Sequence, residues 1–284
     1  MNKPNFSLRS ANVAIIGLGL MGGSLALSLK EHCRRLSALD SHQPTLDLAR
    51  RLEIVHVAGN DPAKILANVD IIILACPVPA IMEWLERLPE YVQQPCIVLD
   101  IGSSKRTIVA ALENLPANFD PLGGHAICGR EQLSLENANR FLYQGAPFVL
   151  TPLHRTSDIA RKAAIKIIEA LGAKPIWLNA DDHDHILAST SHLPYLLSSA
   201  LALVTTEDVV PLIGPGFRSS LRLAGTPSSM MLGVLLSNKD NVLAALHRLQ
   251  SQLSKIESAL QEDDPTQLKS IMDTAQNQFQ SLIQ

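Results

Sequence analysis

His125 stands in Gly123-Gly-His-Ala-Ile-Cys-Gly129, where flanking glycines let another molecule come close to an imidazole. Imidazole is the side chain best matched to proton transfer near neutral pH. A loop histidine is also often only solvated or hydrogen-bonded, and the local residues leave both readings open. Ser103, in Asp100-Ile-Gly-Ser-Ser-Lys105, falls in an expected strand-to-helix turn. Its hydroxyl either faces a ligand or caps the helix that follows. Arg222 lies in the otherwise uncharged run Ser219-Ser-Leu-Arg-Leu-Ala-Gly225. A guanidinium there suits a carboxylate held by two parallel hydrogen bonds, or a structural ion pair with a distant acid. His192, in Ser191-His-Leu-Pro194, interrupts an apolar helical pattern. Pro194 frees a backbone carbonyl upstream, which His192 could satisfy.

A second constellation handles phosphate rather than protons. Gly17, Gly19 and Gly22 follow the apolar run Val13-Ala-Ile-Ile16 and open a helical pattern near Met21-Gly22. The first glycine permits the tight turn, the second lets backbone approach a pyrophosphate, and the third lets helix pack on strand. The helix then points its unpaired N–H groups and positive dipole end at the phosphates. Backbone and side chains from Gly17, Leu18, Gly19, Leu20, Met21 and Gly22 form the expected dinucleotide loop. Asp40 follows Gly19 by 21 residues and closes Leu36-Ser-Ala-Leu-Asp40, placed to accept hydrogen bonds from ribose hydroxyls. Its charge opposes a 2′-phosphate, and no arginine follows among Ser41, His42 and Gln43, so NAD is expected over NADP. A protonated His42 leaves NADP possible.

These groups need a scaffold that brings them together. From residue 12 to about 178 short β-branched runs alternate with amphipathic stretches, which implies βα units and a mostly parallel sheet. Strands are expected at Asn12–Ile16, Leu36–Asp40, Ile71–Cys76, Cys96–Asp100, Pro147–Thr151 and Pro175–Leu178. Ligands gather at the carboxyl ends of such strands. That adds Cys76 and Pro77 to the cofactor-binding candidates and marks 123–129 as a turn. After about residue 180 helical spacing takes over, with one long helix expected at Asp181–Thr206, a loop at Val209–Gly216 and an N-cap at Thr226. The expected architecture is an N-terminal Rossmann-type α/β domain, residues 1–179, followed by an all-helical substrate and dimerisation domain, 180–284.

Composition excludes several classes. The chain is 46% apolar and 18% charged, with net charge −3, and no Lys/Arg-rich segment points to nucleic acid or anionic membrane. Ala11–Leu29 is apolar like a signal peptide, but its glycines explain it as strand, phosphate loop and helix. Cys33, Cys76, Cys96 and Cys128 show no paired spacing and are expected as reduced thiols in a cytoplasmic protein. Asp181-Asp-His-Asp-His185 crowds acids and imidazoles, yet it fits an acidic first helical turn, and no metal site is expected.

The chain resembles the prephenate/arogenate dehydrogenase family of tyrosine biosynthesis. The resemblance rests on the glycine loop, Ala75-Cys-Pro77, Asp100-Ile-Gly-Ser103-Ser-Lys105, Gly123-Gly-His125, Gly145-Ala-Pro-Phe-Val-Leu-Thr-Pro152, Asp182-His-Asp184, Ser191-His-Leu-Pro194 and Gly216-Phe-Arg218 with Arg222. It implies an NAD(P)-dependent oxidative decarboxylation of a cyclohexadienol and a homodimer formed by the helical halves. It further implies that His125 accepts the substrate hydroxyl proton and Ser103 orients that hydroxyl and the nicotinamide. Arg222 would hold a substrate carboxylate with His192 nearby. Against the family pattern, Ala126 replaces proline, Arg130 brings a positive charge near the substrate, Ser219 replaces an acid and Leu221 a threonine. Two other readings stand beside it. One is a dehydrogenase for a prephenate analogue such as 4-amino-4-deoxyprephenate, or for a β-hydroxyacid, the latter requiring a catalytic lysine. The other is a catalytically silent NAD-binding regulator.

Overall fold

The computed structural model describes residues 6–130, 132 and 134–283. They fall into two compact units, Met1–Asn238 and Lys239–Gln284. The first is built on one sheet of eight strands: β1 (Asn12–Ile16), β2 (Arg35–Leu39), β3 (Val57–Gly59), β4 (Ile71–Leu74), β5 (Cys96–Asp100), β6 (Phe119–Ala126), β7 (Pro147–Pro152) and β8 (Lys174–Trp177). Their order is β3-β2-β1-β4-β5-β6-β7-β8. Every neighbouring pair is parallel except β6 and β7. Strand order reverses between β1 and β4, and a crevice opens beyond their carboxyl ends.

Helices α1 (Leu20–Leu29), α2 (Gln43–Arg51), α3 (Pro62–Ile65), α4 (Val78–Tyr91), α5 (Arg106–Glu113) and α6 (Asp158–Leu171) connect the strands. The period-two alternation of β1 sorts its side chains between two layers. Val13 and Ile15 pack with Leu25 and Leu29 of α1 and Ile167 and Leu171 of α6. Ala14 and Ile16 pack with Ile81 and Leu85 of α4 and Ile108 and Leu112 of α5. Covered on both faces, β4 has no polar side: Ile71, Ile72, Ile73 and Leu74 are all fully buried. Each such side chain contributes roughly 1.5–3 kcal/mol by leaving water.

The 123–129 segment corrects the expectation of a turn. β6 runs on through Ala126, so His125 is a strand residue paired with Val149. The two glycines serve close packing between strands rather than chain reversal. A Cβ on Gly124 would lie 2.7 Å from the Asp100 carbonyl oxygen, and one on Gly123 would lie 3.1 Å from that of Thr151. β3 was not expected, because three residues are too few for a periodic signal.

After β8 the first unit continues as α7 (Ala180–Leu187), α8 (Leu193–Val204), α9 (Pro215–Leu221) and α10 (Ser228–Ser237). The long helix expected at 181–206 is broken by a π-helical segment, Ala188–His192. Pro194 is the cause: it has no N–H to give Thr190, and the Leu193 N–H reaches back five residues to Ala188. The expected loop at 209–216 contains a 3-10 turn, Glu207–Leu212, and the start of α9, where Pro215 fits the first helical position. Thr226 is not the N-cap of α10, since Pro227 occupies that place without a side-chain cap. The second unit is a helical hairpin, α11 (Lys239–Gln261) and α12 (Pro265–Leu282). The Asp264 carboxylate caps α12 by accepting the N–H groups of Thr266 and Gln267.

Candidate active site

Gly17 turns the chain at φ +97°, and a Cβ there would lie 2.6 Å from the Ala75 carbonyl oxygen. A Cβ on Gly22 would meet the Gly17 carbonyl oxygen at 1.9 Å. The strand-to-helix turn therefore closes only with hydrogen at both positions, leaving a backbone cradle at the N-terminus of α1. Asp40 secures it from just past the end of β2: Oδ2 accepts the Leu18 N–H at 2.7 Å and Oδ1 the His42 N–H at 2.8 Å. The cradle opens into a cavity of about 630 Å³ walled by Gly17, Gly19, Leu20, Met21 and Asp40 on one side of the switch point. Cys76, Pro77 and Ser103 line its other parts. Leu18, fully buried in the core, and Gly22, packed on Gly17, stand behind these walls. The spacing, the cradle and the carboxylate fit a dinucleotide.

A second cavity, of about 400 Å³, shares Ser103, Met230 and Val234 with the first. His125, Arg130, Arg222 and Tyr195 line it. No lysine does, among the described residues, which removes the group a β-hydroxyacid dehydrogenase would need there. Ser103 does not cap α5; the cap position belongs to Lys105, without a side-chain bond. Ser103 instead borders both cavities.

Behind His125 runs a chain of hydrogen bonds. His125 Nδ1 lies 2.8 Å from His183 Nε2, and His183 Nδ1 lies 2.8 Å from Asp184 Oδ1. Asp184 also accepts the Lys105 N–H at 2.7 Å and the Arg106 N–H at 2.9 Å, capping α5 from the neighbouring helix. Burial opposes its ionisation, but bonds from His183, Arg106 and Lys105 prevail and hold the carboxyl below its usual value. The ionised carboxylate is an acceptor for the Nδ1–H of His183, and in the tautomer this favours Nε2 accepts from His125 Nδ1–H. This leaves the lone pair of His125 on Nε2. Burial, with the charges of His183, Lys105 and His192, pushes the His125 pKa well below its ordinary value, so the imidazole is neutral at neutral pH.

Lys105 and Asp100 are both fully buried and joined as an ion pair beneath the site. Asp100 also accepts the N–H groups of Gly102 and Gly124, at 2.9 and 3.2 Å, which ties β5 to the strand that carries His125.

His192 is 1% exposed and is not among the cavity's walls, although Ser191 and Thr190 are. Asn238 Nδ2 donates to the Asp184 carbonyl oxygen at 2.7 Å and lies 3.3 Å from His192 Nδ1. The His192 Nε2 atom is buried with no hydrogen-bond partner among the described residues. Burial lowers its pKa to about 4.

His183 and Asp184 were missed as functional residues. They sit in the cluster read as an acidic first turn, and only Asp181 and Asp182 play that part. The available signal was periodicity: 183, 184, 187 and 188 form the buried face of one helical stretch, with Leu187 and Ala188 as its apolar members. The four cysteines are free thiols, and burial raises the Cys76 and Cys96 pKa values to about 12.

A glycine cradle at the switch point of a parallel sheet, open to a chamber with a carboxylate-backed imidazole, is the plan of a dinucleotide-dependent dehydrogenase. The chain belongs, more particularly, to the prephenate dehydrogenase family. The family model for the nucleotide-binding domain of prephenate dehydrogenase matches residues 25–177, and that for its dimerization domain matches residues 179–274. Prephenate dehydrogenase of Bacillus subtilis is 26% identical over 93% of this chain and 74% of its own length. Prephenate dehydrogenase of Aquifex aeolicus, solved with hydroxyphenyl propionate and NAD+, superposes with a TM-score of 0.87 at 27% identity, covering 98% of this chain and 100% of that one. Synechocystis arogenate dehydrogenase gives a TM-score of 0.78 at 26% identity, with 95% and 99% covered.

Proposed function

We propose that this chain oxidatively decarboxylates prephenate or arogenate, using NAD, to 4-hydroxyphenylpyruvate or tyrosine. The observation that carries the reading is the Asp184–His183–His125 chain, which ends in a chamber continuous with the glycine-lined crevice. Membership of the prephenate dehydrogenase family supports it. Bound in that crevice, NAD supplies the acceptor for the hydride lost from the carbinol carbon.

Every other requirement falls to side chains. His125 takes the hydroxyl proton on Nε2 as the carbinol becomes a carbonyl. His183 and Asp184 position that lone pair and stabilise the imidazolium that forms. Ser103, at the junction of the two cavities, orients the hydroxyl. Arg222 and Arg130 bind substrate carboxylates, and His192 supports the chamber from behind. The carbon–carboxylate bond then breaks, its electrons enter the ring, and carbon dioxide departs as the ring becomes aromatic. Aromatisation drives the reaction, so the protein's task is positioning and deprotonation.

We assign residues 180–284 to substrate binding and dimerisation. The family description of this half as a dimerization domain supports a second copy as partner. Leu203, Val204, Leu212 and Leu236 on its helices are exposed apolar residues that such a partner would cover. We place the homodimer in the cytoplasm. Initial rates with prephenate and with arogenate, each with NAD and NADP, test the activity. Turnover of neither substrate would sink it.

A further inference from the structure

We propose that the guanidinium of Arg87 is the platform on which the adenine ring of the dinucleotide lies. The proposal rests on the cofactor reading above and concerns a part of the cavity that no motif marks. Arg87 and Trp84 stand one turn apart on α4, and both line the glycine cavity. The guanidinium carbon of Arg87 lies 4.7 Å from the Trp84 ring centroid, and Arg87 Nη2 donates to the Tyr91 hydroxyl at 3.2 Å. An otherwise mobile side chain is thus held against an aromatic ring at the cavity wall.

The position follows from the order of parts in the ligand. The pyrophosphate belongs at the Gly17–Gly22 cradle and the ribose hydroxyls at Asp40, so the base must lie beyond Asp40. There the cavity is walled by Asn60 and Pro62, after β3, and by Ala80, Trp84 and Arg87, from α4. These come from opposite sides of the β1–β4 crevice in the sheet order. A purine between them meets a cationic plane on the α4 side, and a guanidinium stacks on a π-face without requiring hydrogen bonds. Asp40 keeps a negative charge beside the ribose, which sets Arg87 to serve the base rather than a 2′-phosphate.

Binding can be read without catalysis. Trp84 and Trp177 are the only two tryptophans, so in a Trp177→Phe background emission reports on Trp84 beside Arg87. ADP should change that emission, and Arg87→Ala should raise the dissociation constants of ADP and NAD by ~3- to 30-fold. Nicotinamide mononucleotide, which lacks the adenosine half, should bind Arg87→Ala and the parent protein alike by calorimetry. Arg87→Met, which keeps the stem without the charge, should behave as Arg87→Ala. Unchanged ADP affinity in Arg87→Ala would overturn the proposal, as would an equal loss for the mononucleotide. A loss confined to adenosine 2′,5′-bisphosphate would overturn it in favour of a phosphate clamp. Failure of the parent protein to bind ADP at all would remove the cofactor reading as well.

Discussion

Nδ1 of His125 and Nε2 of His183 lie 2.8 Å apart, and the Asp184 carboxylate behind His183 favours the tautomers in which His125 donates. The reason lies one residue further on: the opposite nitrogen of His183 gives its hydrogen to the Asp184 carboxylate. One buried charge thereby selects the tautomers of two imidazoles in series, and the second lines the chamber.

Asp184→Asn should therefore disable the base without touching it. An amide side chain can donate to His183, and the tautomers of both rings then cease to be dictated. We expect kcat to fall by ~10²- to 10⁴-fold with ADP affinity retained, and His125→Asn to give a loss of the same order. The double variant should be little worse than either single one, because the groups act as a unit. Additive losses in steady-state rates would contradict the series.

The pH dependence has a defined sign. Burial lowers the pKa of His125 well below its ordinary value, so the acid limb of kcat/KM should fall well below pH 6.5. The folded state keeps His125 and His192 neutral, while the unfolded chain takes up protons near pH 6.5. Their contribution to stability is full above that value and is lost as pH falls; for His192 the window extends down to about 4. Urea unfolding at pH 7 and pH 5 should show the lower stability at pH 5. Equal stabilities would count against it.

Gly22→Ala should damage the cradle. With its Cβ only 1.9 Å from a backbone oxygen, the turn must open. A cost of ~1–3 kcal/mol and a loss of ADP binding are expected. Gly129→Ala, where a Cβ meets nothing within 4 Å, is the control and should bind ADP normally.

Lys105→Met leaves the carboxylate of Asp100 buried without its cation. Unfolding free energy should drop by ~3–5 kcal/mol, and Lys105→Met with Asp100→Asn should recover part of it. Chemical denaturation measures both.

Arg222→Ala should raise KM for the cyclohexadienol by ~10- to 100-fold, the value of one charge-assisted contact, while ADP binds unchanged. Arg130→Ala, compared with prephenate and arogenate in turn, tells which substrate group each arginine meets. A fall in kcat with KM constant would assign Arg222 a different part.

Much of the scaffold was legible because its signals are local. β1 and β5 fall where Asn12–Ile16 and Cys96–Asp100 place them, since apolar runs between helices covering both faces carry little ambiguity. Gly17 and Asp40 share one cavity wall, and their spacing drew notice because a dinucleotide loop calls for those residue types at that distance. What stayed hidden depends on contacts across the fold. Arg87 comes from α4 to the cavity that Asp40 lines, and nothing in the residues that follow Asp40 marks it. Glycines before His125 read as a turn, because backbone crowding by Asp100 and Thr151 leaves no trace in sequence. His183 and Asp184 were lost among like neighbours, since composition cannot say which side of a helix faces inward.

The π-helical segment at Ala188–His192 amounts to one residue more than an unbroken helix would hold. At 3.6 residues per turn, that residue rotates everything after it by ~100° about the helix axis. Leu193 and Tyr195 therefore look in directions that a continuous helical wheel drawn from Ala180 would assign wrongly. Deleting a single residue between 188 and 192 would leave the composition of the segment nearly unchanged, yet swing Tyr195 away from the chamber wall. Here the phase of a helix, more than the identity of its residues, decides which face the chamber receives.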